Sequence, residues 1–148
     1  MKTHPYLRAY LSGVLVPTLV LPLLLAVFIV ARLVLCVPVP IEQAMIFPMS
    51  VVPLLFGLWN MLWLVSHERT HLVIGVHGAL LPCVLMPAGA TTAHCLGVLK
   101  LTSNEAVWFN AAHVSYAVIV PMFLVALAAY YLVWKYIVGF VNRELGIA

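Results

Sequence analysis

The chain is 148 residues long, 66% hydrophobic and 7% charged, with seven Lys and Arg against four Asp and Glu. An ordinary soluble domain carries roughly 25% charged residues, and a core of this size could not hide so much apolar surface from water. A soluble globular fold is therefore excluded, and nucleic-acid binding has no support because the basic residues are scattered along the chain and form no patch.

About 20 apolar residues, rising 1.5 Å each along a helix, cross the roughly 30 Å hydrocarbon layer of a bilayer. On that rule the sequence predicts an all-α integral membrane fold. It is a four-transmembrane-helix bundle in which residues 1–148 form one transmembrane domain. The first span is predicted over 10–31. Lys2 and Arg8 precede it as in a secretory signal, but the stretch exceeds the ~7–15-residue signal core and no small-x-small site follows, so it reads as a retained span.

The second span is predicted over 44–65 and the fourth over 114–134. The third has two registers, 72–94 or 79–99. In the first it starts at Leu72, after a short loop from Ser66 to His71. In the second, Gly75-Val76-His77-Gly78 is the turn, and only this register lets the second helix continue through His71.

With the N-terminus inside, Lys2, Arg8, Arg69, Lys135 and Arg143 are cytoplasmic, against Arg32 and Lys100 outside. The positive-inside rule then gives an N-in/C-in topology, with the lipid bilayer as the surroundings and the bacterial inner membrane as the expected location. Tyr6, Tyr10, Trp63, Tyr130, Tyr131 and Trp134 fall near the inner interface, and Trp108 and Phe109 near the outer one.

Pro17 and Pro22, Pro48 and Pro53, and Pro82 and Pro87 recur at a spacing of five, and Pro121 falls in the fourth span. Each removes a backbone hydrogen bond and tends to kink its helix, so the expectation is proline-kinked helices that splay to leave an outer cavity.

His67-Glu68-Arg69-Thr70-His71 fits H-E-x-x-H, in which two histidines one helical turn apart bind zinc and the Glu acts as general base. His77 stands where a metzincin has its third histidine, but the glycine of that pattern is displaced to Gly75. A short-loop register would take His67 and His71 off a common helix face, and a polar interfacial loop accounts for the same residues.

His94 and Cys95 at the end of the third span, with His113 opening the fourth, form a second metal set. Imidazole and thiolate suit zinc or copper, and two histidines on neighbouring helices suit a haem iron. The three cysteines, Cys36, Cys83 and Cys95, lack C-x-x-C spacing and are expected as buried small apolar residues.

No Asp, Glu, Lys or Arg stands in the middle of a span, which argues against an ion pump. Asn60, between Trp59 and Trp63, is the clearest polar side chain in the layer, joined by His77 in the first register. These four residues are the ligand-binding candidates, although a hydrogen bond from Asn60 to another helix is the plainer expectation. Gly75 and Ala79, and Gly89 and Ala93, mark contact faces on the third span.

The functional expectation is a small membrane protein without evident catalytic machinery, an accessory or assembly subunit of a larger complex or a self-associating homo-oligomer. The alternatives are a binder or facilitator of an apolar, lipid-like ligand in the proline-lined outer cavity, and a histidine-ligated zinc or haem protein.

Overall fold

The computed structural model describes residues 4–36, 41–109 and 112–147, and of residues 43, 44, 46 and 47 the backbone alone. Lys2, counted in the charge asymmetry, lies outside the described residues. Among those described, four helices are long and apolar enough to cross a membrane: Pro5–Leu33, Pro48–Thr70, Ile74–Cys95 and Tyr116–Glu144. The chain is mostly helical, as its apolar runs predict.

Helix α1 (Pro5–Leu33) contains Pro17 and Pro22, and α2 (Ile41–Thr70) contains Pro48 and Pro53, each within one continuous helix. The two pack along most of their length. Gly13 of α1 lies so close to α2 that a Cβ there would overlap the Phe56 carbonyl, a contact only glycine permits.

The third span is two helices in line, α3 (Ile74–Ala79) and α4 (Leu81–Cys95). Neither predicted register holds completely. The span begins close to Leu72, as in the first, yet α2 runs on to Thr70 as the second required. The turn is only three residues, with His71 in the left-handed region at φ 52° where α2 stops.

The connection from α4 to the fourth span is not a loop. It is a three-stranded antiparallel sheet of β1 (Leu99–Leu101), β2 (Glu105–Trp108) and β3 (Ala112–Ser115), in the order β1-β2-β3. The all-α expectation holds for the bundle, to which the connection adds this small sheet. Leu99 pairs with Trp108, Leu101 with Ala106, and Ala106 with Val114, so these side chains share one face. Lys100, Val107, His113 and Glu105 share the other. The alternation L-K-L, the turn residues Thr102-Ser103-Asn104 and the strand-favouring Val107-Trp108-Phe109 that follow carried this signal in the sequence.

Helix α5 (Tyr116–Leu132) is capped by Ser115, whose hydroxyl accepts from the Ala117 N–H at 3.3 Å. It passes through a π-helical segment (Val133–Val138) into α6 (Gly139–Glu144). The fourth span thus reaches well beyond residue 134. None of the α5 residues is buried, whereas Trp134, Val138 and Asn142 are. Phe56, Leu81, Leu85, Trp134 and Val138 form the core, and the Trp134 ring fills the space that a side chain on Gly78 would need.

Candidate functional site

Two polar clusters and a set of apolar grooves divide the molecule. The first cluster joins the two ends of the chain. Asn60 donates from Nδ2 to the Ala9 carbonyl at 2.8 Å and to Asn142 Oδ1 at 2.9 Å, and Asn142 Nδ2 returns a bond to Asn60 Oδ1 at 3.1 Å. Both amides are fully buried. Nearby, Arg8 donates to the Leu145 carbonyl at 3.0 Å, fixing the end of α6 against α1.

The second cluster ties α2 to the start of the third span. The Trp59 indole N–H donates to the His77 carbonyl at 2.9 Å, and His77 Nε2 donates to the Trp59 carbonyl at 3.0 Å, which fixes its proton on that nitrogen. Trp63 donates to the Leu72 carbonyl at 3.3 Å. Asn60, Trp59, Trp63 and His77 therefore use their polar atoms on the protein itself, and none lines the grooves described below. Asn142 was missed because Lys135 marked the expected end of the fourth span. The apolar run Ile137-Val138-Gly139-Phe140-Val141 was the available sign that the helix continues.

The histidine motifs do not converge. His67 Nδ1 lies 2.9 Å from the Leu64 carbonyl and its ring stacks on Trp63 at 4.7 Å, while His71 is exposed beyond the helix end. His77 is held at Trp59. His94 Nδ1 meets the Leu99 carbonyl at 3.1 Å. His113 stands on β3, not on the fourth helix, with Nδ1 2.7 Å from Glu105. Among the described residues no three His, Cys, Asp or Glu side chains gather as metal ligands. Cys36, Cys83 and Cys95 are free thiols, and all three are exposed instead of buried.

The sheet end is built differently. A groove of about 320 Å³ lies between α1, α2 and α4, bordered by Leu24, Phe28, Pro48, Gly89, Ala93 and Trp108 among others. A second, of about 430 Å³, lies between α4, α5 and the sheet, with Ala90, Leu99, Ala106, Trp108, Ile119 and Met122 in its walls. Gly89 and Trp108 border both. A third, of about 290 Å³, runs between α1, α2 and α5 past Pro17.

No charged side chain lines any of the three. The one hydroxyl in the first groove, Thr92, already donates to the Ala88 carbonyl at 2.8 Å. These walls can hold hydrocarbon by shape, with the Tyr130 phenol in the third groove and the Thr92 hydroxyl in the first as their side-chain hydroxyls.

The fold and these grooves define a polytopic α-helical membrane protein with an amphipathic sheet closing one end of the bundle. Comparison of the chain with protein-family models, with characterised proteins and with solved structures finds no match.

Proposed function

We propose that this chain is a non-catalytic membrane protein that holds a lipid-like apolar molecule in the grooves beneath its sheet. The observation that carries this reading is the apolar sheet face, Leu99, Leu101, Ala106, Trp108 and Val114, which walls a groove of about 430 Å³ against α4 and α5. With both termini cytoplasmic, as the distribution of basic residues favours, that groove lies toward the outer surface, in a bacterial inner membrane by the same reading.

Within a bilayer, a lipid tail gains no hydrophobic free energy by leaving its neighbours for a protein wall. Retention depends on close packing against a surface that does not have to rearrange. The sheet supplies such a surface, since Leu99 and Ala106 are buried against the helices and Tyr116 Oη bonds the Thr102 carbonyl at 2.6 Å.

Gentle extraction followed by native mass spectrometry tests this. The expected result is a bound lipid-like mass retained through detergent exchange and regained after delipidation. Protein that neither retains nor rebinds any lipid would overturn the reading.

A second reading, a subunit of a membrane complex or a self-associating bundle, draws on α5, where no residue is buried. The same spectrum would show it as a stoichiometric second chain.

A further inference from the structure

The third groove, of about 290 Å³, shares no wall residue with the two beneath the sheet. It runs past Pro17 and Leu21 of α1, Val52 and Phe56 of α2, and Tyr130 and Val133 of the fourth span. Tyr130 stands 14 positions from each end of the span Tyr116–Glu144, and Pro17 and Leu21 bracket the middle of Pro5–Leu33. A bilayer crossed by these spans has its centre at this groove, about 15 Å from either layer of headgroups.

One polar side chain lines it. Tyr130 Oη has no hydrogen-bond partner among the described residues. Nor is it sealed in the core. The buried side-chain polar atoms left without a partner among those residues are Ser12 Oγ and Trp134 Nε1, so the phenol oxygen keeps open surface. The Tyr130 ring lies beside that of Phe56, with centroids 5.5 Å apart and planes tilted by 53°. Just after it the helix widens into its π-helical segment at Val133, itself a wall of the groove, and such segments recur at functional sites. An O–H left in hydrocarbon without an acceptor is costly, and at this depth neither water nor a lipid headgroup supplies one.

We infer that this groove binds the ring of a lipid-soluble quinone, one carbonyl oxygen of which accepts a hydrogen bond from Tyr130 Oη. A phospholipid presents only methylene and methyl groups at the bilayer centre and leaves the phenol unpaired. A quinone is neutral, and it combines a flat ring, which aromatic walls favour in tilted or offset packing, with oxygens that accept from an O–H. The inference concerns binding alone, in a groove apart from those beneath the sheet, and does not rest on what they hold.

Full-length protein in detergent would be titrated with a decyl-substituted benzoquinone and, separately, with decylbenzene, which keeps ring and tail but lacks the oxygens. Bound copies would be counted by native mass spectrometry. The expected result is one quinone per protein, with decylbenzene bound more weakly. Tyr130→Phe should weaken quinone binding by about three- to tenfold, the worth of one neutral hydrogen bond, and leave decylbenzene unchanged. Because the hydroxyl bonds nothing in the fold, this variant should melt with the parent. Ala129→Leu, which intrudes on the groove, should weaken both ligands.

Quinone binding that survives Tyr130→Phe undiminished, or that is no tighter than decylbenzene binding, would overturn the assignment, as would a parent protein that binds no quinone. Ala90 and Ala93 line the grooves beneath the sheet and not this one. Binding lost on Ala90→Leu or Ala93→Leu but kept on Ala129→Leu would put the ligand under the sheet, so that the lipid-holding reading stands and this inference fails. Should Ala129→Leu unfold, Ala129→Val makes the same comparison with a smaller intrusion.

Discussion

Asn60 and Asn142, 82 positions apart in the chain, exchange two side-chain hydrogen bonds of 2.9 and 3.1 Å at a place where neither is exposed. The pair joins the middle of the second span to the last turn of the fourth, and its third bond, to Ala9, brings in the first. Three of the four spans are thus fixed by one amide cluster.

Asn60→Leu should destabilise the protein by about 1–3 kcal/mol, because it strands the Asn142 amide in a buried place as well as removing its own bonds. Asn142→Leu should cost less, since Asn60 keeps the Ala9 carbonyl. In thermal unfolding in detergent, the double variant should lose less than the sum of the singles. Strictly additive losses would show that the two amides do not interact.

Gly78 has no room for a side chain. Gly78→Ala pushes a methyl into the Trp134 ring, and overpacking of this kind costs about 1–3 kcal/mol or more. Trp134→Leu in the same chain should recover part of the loss by vacating the ring's space. A Gly78→Ala protein that melts with the parent would mean that α3 and the π-helical segment do not pack as described.

The Arg32 and Glu42 side chains form a 2.9 Å ion pair between the end of α1 and the start of α2. A backbone hydrogen bond at Glu42, then the hydrogen bond and charge of Arg32, hold its carboxyl below the ordinary value of 4.5. A lowered value means that the stabilisation is present above pH 4.5 and is lost as the pH falls through the folded value. The pair is exposed, so the effect is small. Melting temperatures of the parent and Glu42→Gln should differ slightly at neutral pH and converge in acid. A gap that widens on acidification would reverse the assignment.

The exposed thiols report topology. If both termini are cytoplasmic, as the basic residues predict, Cys36 beyond the end of α1 and Cys95 at the end of α4 fall on the outer side. A membrane-impermeant maleimide added to intact cells should label both, and a double Cys36→Ala, Cys95→Ala variant should not react. Labelling only after the cells are opened would invert the topology.

The amino-acid sequence by itself determined that the chain carries four helices apolar enough to cross a membrane, because hydropathy is a sum over neighbouring residues and needs no tertiary contact. It also marked Asn60 as the amide that would need a partner. The partner itself was decided by tertiary structure, since no local pattern relates positions 82 apart.

Lys135 illustrates the limit: a charge ends a span by composition. In the fold its ammonium lies 5.4 and 5.3 Å from the Tyr131 and Tyr136 rings, and the helix runs on to Glu144. The sheet escaped because its period-two alternation covers three or four residues per strand, a faint signal beside twenty-residue apolar runs. The H-E-x-x-H histidines were legible as a motif, but their separation was not. A left-handed residue at His71 ends α2 there, and the Trp59 and Trp63 indoles bond the backbone of the segment that follows, contacts that no local motif encodes.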